Sequence, residues 1–148
     1  MRAVVQRVTE AEVCISGKIT GRIGPGFLVL VAGATDDTDA DAVWLADRIW
    51  GMRILSDADG KMNLSLADAG LSEILVVSQF TLYGDARKSR RPSFVGSAPY
   101  DRGLELYNQF TAALRACGAT LAEGVFGANM QVSLVNDGPV TLILDSRA

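Results

Sequence analysis

Phe27-Leu28-Val29-Leu30-Val31-Ala32 is a run of six apolar residues set between Gly26 and Gly33. A run of that length and branching, bounded by glycines, predicts a strand buried on both faces. Ile74-Leu75-Val76-Val77 predicts a second, shorter strand of the same kind. Between them, Thr35-Asp36-Asp37-Thr38-Asp39 has the chemistry of a helix start, its acids suited to the positive end of a helix. Ala42, Leu45, Ala46 and Ile49 then recur at helical spacing, Asp41, Asp47 and Arg48 are placed toward water, and Gly51 is a stop.

Working outward, residues 1–16 cluster Val, Ile and Ala between polar residues and are interrupted at Gly17, which reads as two strands with turns between. A polar loop from Gly84 to Pro99 leads to a second amphipathic helix, its apolar face Leu106, Phe110, Ala113, Leu114 and Cys117, ending at Gly118. The tail predicts a strand from Met130 to Val135, a turn at Asn136-Asp137-Gly138-Pro139, and a strand from Val140 to Leu144. No repeat or linker divides the chain. The expectation is one α/β domain over residues 1–148, with curved β-sheets in a barrel-like or layered β/α/β arrangement and two main helices.

Composition bounds the chemistry. With 148 residues, 49% hydrophobic and 21% charged, the chain has the balance of a single soluble domain. It contains no histidine, which excludes Ser-His-Asp and Cys-His nucleophile pairs and HExxH zinc sites. Cys14 and Cys117 stand far apart in no metal-binding spacing and read as small buried thiols of a reducing, cytoplasmic environment. No stretch approaches the roughly 18 apolar residues of a membrane span, and Arg2, Arg7 and Glu10 interrupt the first apolar segment, so no signal peptide is read there. Ser56-Asp57-Ala58-Asp59-Gly60 is turn chemistry without the bidentate Glu of a calcium loop.

Three segments remain that can carry function. Ser78-Gln79-Phe80-Thr81 follows a buried strand, where side chains and backbone amides face a cleft; its hydroxyls either orient a substrate or satisfy the strand's end. Arg87, Lys88, Arg90 and Arg91 stand against the single acid Asp85 in a chain of net charge −3. That loop is either a solvated face or a local contact for phosphates. Asn136-Asp137-Gly138-Pro139 is either an ordinary turn or a rigid edge of bare carbonyls able to tell one hand of a substrate from the other.

With these segments in hand, the chain resembles the bacterial D-aminoacyl-tRNA deacylases, the D-Tyr-tRNA deacylase family. The resemblance runs through Met1-Arg2-Ala3-Val4-Val5-Gln6-Arg7-Val8, Gly60-Lys61-Met62-Asn63-Leu64, Val76-Val77-Ser78-Gln79-Phe80-Thr81-Leu82, Arg91-Pro92-Ser93-Phe94 and Met130 to Thr141. Its signatures are the SQxT segment at Ser78 and the NxGPxT segment at Asn136. Val95-Gly96-Ser97-Ala98-Pro99-Tyr100 is less typical.

This resemblance implies a homodimeric, metal-free and cofactor-free hydrolase. It would cleave the ester joining a D-amino acid to the 3′ end of tRNA, and remove glycine from mischarged tRNA. It implies that Gly138-Pro139 is cis and enters the partner subunit's active site, filling the space an L side chain needs. Phe126 and Met130 would line the pocket near the terminal adenosine, Arg7 would hold the Gly-Pro motif, and Arg87, Lys88, Arg90 and Arg91 would contact the acceptor end.

An ester needs little beyond a positioned water and an oxyanion site. Backbone amides around Phe80 and Thr81 are suited to the latter, and the RNA 2′-hydroxyl beside the ester to the proton work. Thr81 as nucleophile is the alternative, although nothing near it in sequence would deprotonate it. Two rivals of other classes stay open: a non-catalytic tRNA-binding module and an esterase of small molecules.

Overall fold

The computed structural model describes residues 1–148. A mixed sheet of six strands is the centre of the molecule: β1 (Arg2–Ile15), β2 (Lys18–Ile23), β3 (Gly26–Ala32), β6 (Glu73–Ser78), β7 (Thr120–Glu123) and β8 (Gln131–Asp145). Two short strands, β4 (Leu55–Ser56) and β5 (Met62–Leu64), pair separately as a small hairpin. The helices are α1 (Asp39–Trp50) and α2 (Tyr100–Cys117). Strand order is β2-β1-β3-β6-β7, with β8 along the other side of β1. Although β2 and β7 are at opposite ends of that order, a Cβ at Gly21 in β2 would lie 2.7 Å from the Glu123 carbonyl oxygen of β7. The sheet therefore curls nearly closed, and a bare glycine lets the two ends meet.

The continuous apolar runs are explained by burial on both sides. Phe27, Val29 and Val31 of β3 and Ile74 and Val76 of β6 face the helices, packing with Leu45 and Ile49 of α1 and Leu106, Phe110 and Leu114 of α2. Leu28 of β3 and Leu75 and Val77 of β6 point the other way, into the curl of the sheet with Val8, Val13 and Ile23. Alternate residues of each strand thus serve two cores. β3 and β6 are parallel, in register from Phe27 opposite Ile74 to Val31 opposite Ser78, so both strands end at the same edge.

Helix α1 begins and ends as its sequence predicts. Thr38 is the N-cap, Asp41 returns a carboxylate to its backbone N–H, and Gly51 closes the helix. Ala42, Leu45, Ala46 and Ile49 are its buried residues. Asp41 does not simply face water: it also accepts a hydrogen bond from Ser146. Ser146 and Arg147 at the far end of the chain meet the start of α1 beside a buried ion pair, in which the Met1 α-amino group lies 2.8 Å from Asp37.

Three sequence readings change. The turn chemistry at Asn136–Pro139 does not reverse the chain. Both flanking segments are parts of one long strand, β8, antiparallel to β1 throughout. Asn136 faces Val8 and Thr141 faces Gln6, so residues 137–140 are extruded as a bulge in mid-strand. At the other end of the chain, the break at Gly17 leaves one continuous strand from Arg2 to Ile15, followed by a turn into β2. Cys14 and Cys117 are free thiols, half-buried rather than buried. No helix is long and apolar enough to cross a membrane.

Candidate active site

A cavity of about 600 Å³ opens where β3 and β6 end. One wall comes from the chain leaving β6, Ser78, Gln79 and Phe80; the opposite wall comes from the segment after β7, with Phe126 and Met130. The second turn of α2 approaches closely here, because a Cβ at Gly33 would stand only 2.6 Å from Leu106 Cδ1. Glycine at that position lets strand and helix converge on the cavity.

The SQxT segment leads from the last residue of β6, Ser78, into a tight 3-10 turn, Phe80–Tyr83, docked on the sheet. Gln79 donates its backbone N–H to the Val31 carbonyl at 2.8 Å, extending the β3–β6 pairing by one step. The first bond inside the turn is donated by Leu82 to the Gln79 carbonyl, at 3.1 Å. The N–H groups of Phe80 and Thr81 precede that bond and have no acceptor within the turn. At the far end of the turn, Arg2 donates from Nη1 to the Leu82 carbonyl at 2.9 Å and pairs with Asp145 at 2.9 Å. The Thr81 hydroxyl is exposed beside the cavity rather than in its wall, and its hydrogen-bond partner is the Gln79 carboxamide.

Aromatic side chains shape the opposite wall. The Phe126 ring lies 5.2 Å from Tyr100 and 5.7 Å from Tyr107, edge-on and tilted respectively. Tyr107 is buried, and its hydroxyl donates toward the Val76 carbonyl and Glu123, 3.0 Å from the latter. Burial first, and then the neighbouring Glu123 carboxylate, push the Tyr107 phenol well above its ordinary range. It is a wall residue that keeps its proton at neutral pH. Tyr100 and Tyr107, with Gly103 between, recur at helical spacing on α2 and all border the cavity. That stripe was the available signal for Tyr100 and Tyr107, which the sequence reading missed; Phe94 and Ala98, also on the cavity, precede the helix and carried no such pattern.

Gly138 and Pro139 do not line this cavity. They sit exposed in the β8 bulge, joined by a cis peptide bond. Two braces hold the bulge. Asn136 accepts the Val140 N–H at 2.8 Å and donates to the Val140 carbonyl and Thr141 hydroxyl at 3.1 Å. The buried Arg7 donates from Nε to the Asp137 carbonyl at 2.8 Å and from Nη1 to the Ile54 carbonyl at 2.7 Å. Within one subunit, then, Ser78, Gln79, Phe80, Phe126 and Met130 converge, with Thr81 at their edge. Arg7, Gly138 and Pro139 form a separate braced group.

The basic loop projects beside the cavity. Its base is tied by two backbone bonds between Asp85 and Ser93, at 2.8 and 2.9 Å. Arg87 is engaged by Asp85 at 2.7 Å, which holds that carboxyl well below the usual carboxylate range. Lys88, Arg90 and Arg91 are exposed and belong to no ion pair.

Comparison with known proteins bears on this arrangement. Residues 4–145 match the family described as D-Tyr-tRNA(Tyr) deacylase. The D-aminoacyl-tRNA deacylase of Thermotoga petrophila is 56% identical over 146 residues, covering 99% of this chain and 97% of that protein. The one from Desulfitobacterium hafniense is 55% identical with the same coverage, and that of Bacillus velezensis is 52% identical over 99% of each chain. Among solved structures, a c-Myc DNA Unwinding Element Binding Protein superposes with a TM-score of 0.94 at 39% identity over 100% of both chains. A probable eukaryotic D-amino acid tRNA deacylase, 20% identical, superposes over 97% of both chains with a TM-score of 0.81 and shares the fold. With a nearly closed mixed sheet, a cavity framed by the SQxT turn, and full-length relatives at more than half identity, this chain belongs to the D-Tyr-tRNA(Tyr) deacylase family.

Proposed function

We propose that this protein hydrolyses the ester between a D-amino acid and the 3′ end of tRNA, releasing both, and that it also removes glycine mischarged on tRNA-Ala. Family membership supports the ester chemistry. The observation that carries the site assignment is the turn after β6: two adjacent backbone N–H groups, at Phe80 and Thr81, precede the first bond of the turn beside a cavity sized for one aminoacyl nucleoside.

In this reading the ester carbonyl lies against the turn, and the Phe80 and Thr81 amides stabilise the negative oxygen that forms when water adds. Ser78 and Gln79 orient the ester, while Phe126 and Met130 border the terminal nucleoside. The substrate's 2′-hydroxyl relays the proton from the attacking water to the departing 3′ oxygen. No cofactor enters the scheme. Thr81 is a binding residue in it: its partner is a carboxamide, which does not take a proton from a hydroxyl at neutral pH.

Selectivity comes from a second copy of the chain. The braced, exposed Gly138–Pro139 bulge stands apart from its own subunit's cavity and is free to enter that of a partner in a homodimer. A rigid wall rejects a whole side chain, whereas an attractive pocket discriminates a methylene by only about 10- to 200-fold. The site therefore accepts many D-amino acids and glycine. Lys88, Arg90 and Arg91, with Arg87 partly neutralised, contact phosphates of the acceptor end in the cytoplasm, where charged tRNA is found. Release of D-amino acid from D-aminoacyl-tRNA, against an L-aminoacyl control, tests the proposal. Binding without release would instead support a tRNA-binding module, and equal cleavage of esters lacking RNA would support a general esterase.

A further inference from the structure

At the mouth of the cavity two aromatic side chains are left in water: Phe80 is 57% exposed and Phe94 37%. The Phe94 ring is fixed. It seats on the bare backbone of Gly84, where a Cβ would come within 2.9 Å of the ring, and Phe80 meets it at 5.1 Å between centroids and 67° between planes. Phe94 also follows the basic loop directly, one residue past the Asp85–Ser93 tie and three past Arg91. A fixed aromatic ring beside free cations is the pattern by which proteins hold single-stranded nucleic acid, the ring stacking on a base and the cations tracking phosphates.

We propose that Phe94, supported by Phe80, is an outer subsite that stacks the base of the nucleotide preceding the aminoacylated one. The inference rests on the reading that an aminoacylated RNA end occupies the cavity. A space of about 600 Å³ is used by one nucleoside and its amino acid, so the next nucleotide of the strand lies outside, on the rim. There it meets the exposed ring, with its phosphate toward Lys88, Arg90 and Arg91. Charge favours RNA over a second copy of this chain as the occupant, since the chain carries a net charge of −3 and the rim is locally basic.

The test compares two substrates, the D-aminoacyl ester of a lone nucleoside and that of a trinucleotide ending in the same nucleoside, with wild type, Phe94→Leu and Phe94→Tyr. Expected for the wild type is a higher kcat/KM on the trinucleotide. Phe94→Leu reduces that advantage about tenfold, and Phe94→Tyr, which keeps a ring, restores it. Equal losses on both substrates would overturn the proposal and make Phe94 a wall of the inner cavity only. Equal losses accompanied by a change of oligomeric state on gel filtration would also overturn it, assigning the ring to a subunit contact. If the wild type cleaves neither ester nor charged tRNA, the reading of the cavity itself fails, a result distinct from both.

Discussion

Arg7 reaches across from β1 to hold Asp137 by its backbone, Nε to the carbonyl oxygen at 2.8 Å, while its Nη1 is spent on the buried Ile54 carbonyl. A guanidinium with two fixed carbonyl acceptors is a strut for the bulge that carries Gly138 and Pro139. Arg7→Met keeps the bulk and removes the donors. Hydrogen bonds to charged groups contribute about 1.5–3 kcal/mol each, so the variant, which loses two, should lose about 3–6 kcal/mol in urea denaturation and cleave L-aminoacyl-tRNA faster relative to D than wild type does. Unaltered chiral preference in a folded Arg7→Met protein would sever the bulge from selectivity.

Gly138 has φ of +148°, and a Cβ there would sit 2.7 Å from Val140 Cγ2 and 2.8 Å from the Val140 nitrogen. Gly138→Ala must displace the bulge to relieve that contact. A cost on the order of 1–3 kcal/mol to the seating of the bulge corresponds to a fall in the D-over-L rate ratio of about 5- to 150-fold. Parallel single-turnover assays on the two charged tRNAs measure it.

Thr81→Val removes the hydroxyl and keeps the shape. Because the turn's N–H groups and the substrate hydroxyl are assigned the chemistry, most of the single-turnover rate should survive, with a loss below about tenfold. An abolished rate would revive Thr81 as nucleophile.

Lys88, Arg90 and Arg91 have no carboxylate partners to lose. Replacing all three by Ala should weaken tRNA binding and flatten the dependence of log K on log salt by about 2, near 0.7 for each single-strand phosphate contact released. Binding titrations at several salt concentrations read the slope, and an unchanged one would leave the loop merely solvated.

Asp41 accepts hydrogen bonds from the Thr38 backbone and the Ser146 hydroxyl, which lower its pKa to about 2 from the usual 3.8. A depressed carboxyl contributes stability above its unfolded value, and that contribution disappears as pH falls through the folded one. Wild type should therefore exceed Asp41→Asn in denaturant midpoint at neutral pH. The difference should narrow between pH 3.8 and about 2, followed by circular dichroism. A pH-independent difference would mean that the charge of Asp41 is irrelevant to the cap.

What the sequence disclosed was whatever repeats locally. The α1 stripe Ala42, Leu45, Ala46 and Ile49 is buried as its spacing demands, and the unbroken runs in β3 and β6 mark the two strands with a core on each face. Asn136-Asp137-Gly138-Pro139 misled because turn residues act over four positions, whereas the outcome was set by β1, fourteen residues long and able to pair with both flanks. β7, four residues at the sheet's end, has too little pattern to be seen. Of the cavity's lining, Ser78, Gln79 and Phe80 were legible from their place after a buried strand, and Phe126 and Met130 through resemblance. Tyr107 was hidden by its ordinary place in an amphipathic helix, and nothing near Met1 in sequence announces its ion pair with Asp37.

Extrusion of residues 137–140 from mid-strand has a consequence for how this chain can vary. Surface loops usually tolerate gained or lost residues, but here the sheet resumes on both sides of the loop, against the same neighbour. A residue added or removed in the paired flanks would shift the strand by one position and turn every side chain beyond it to the opposite face. Leu142 and Leu144, now packed against the helix-side core, would be driven outward. The Gly-Pro segment is thereby presented from a fixed base: pairing ties Asn136 to Val8 and Thr141 to Gln6, so a change of length has to be taken up within residues 137–140 themselves.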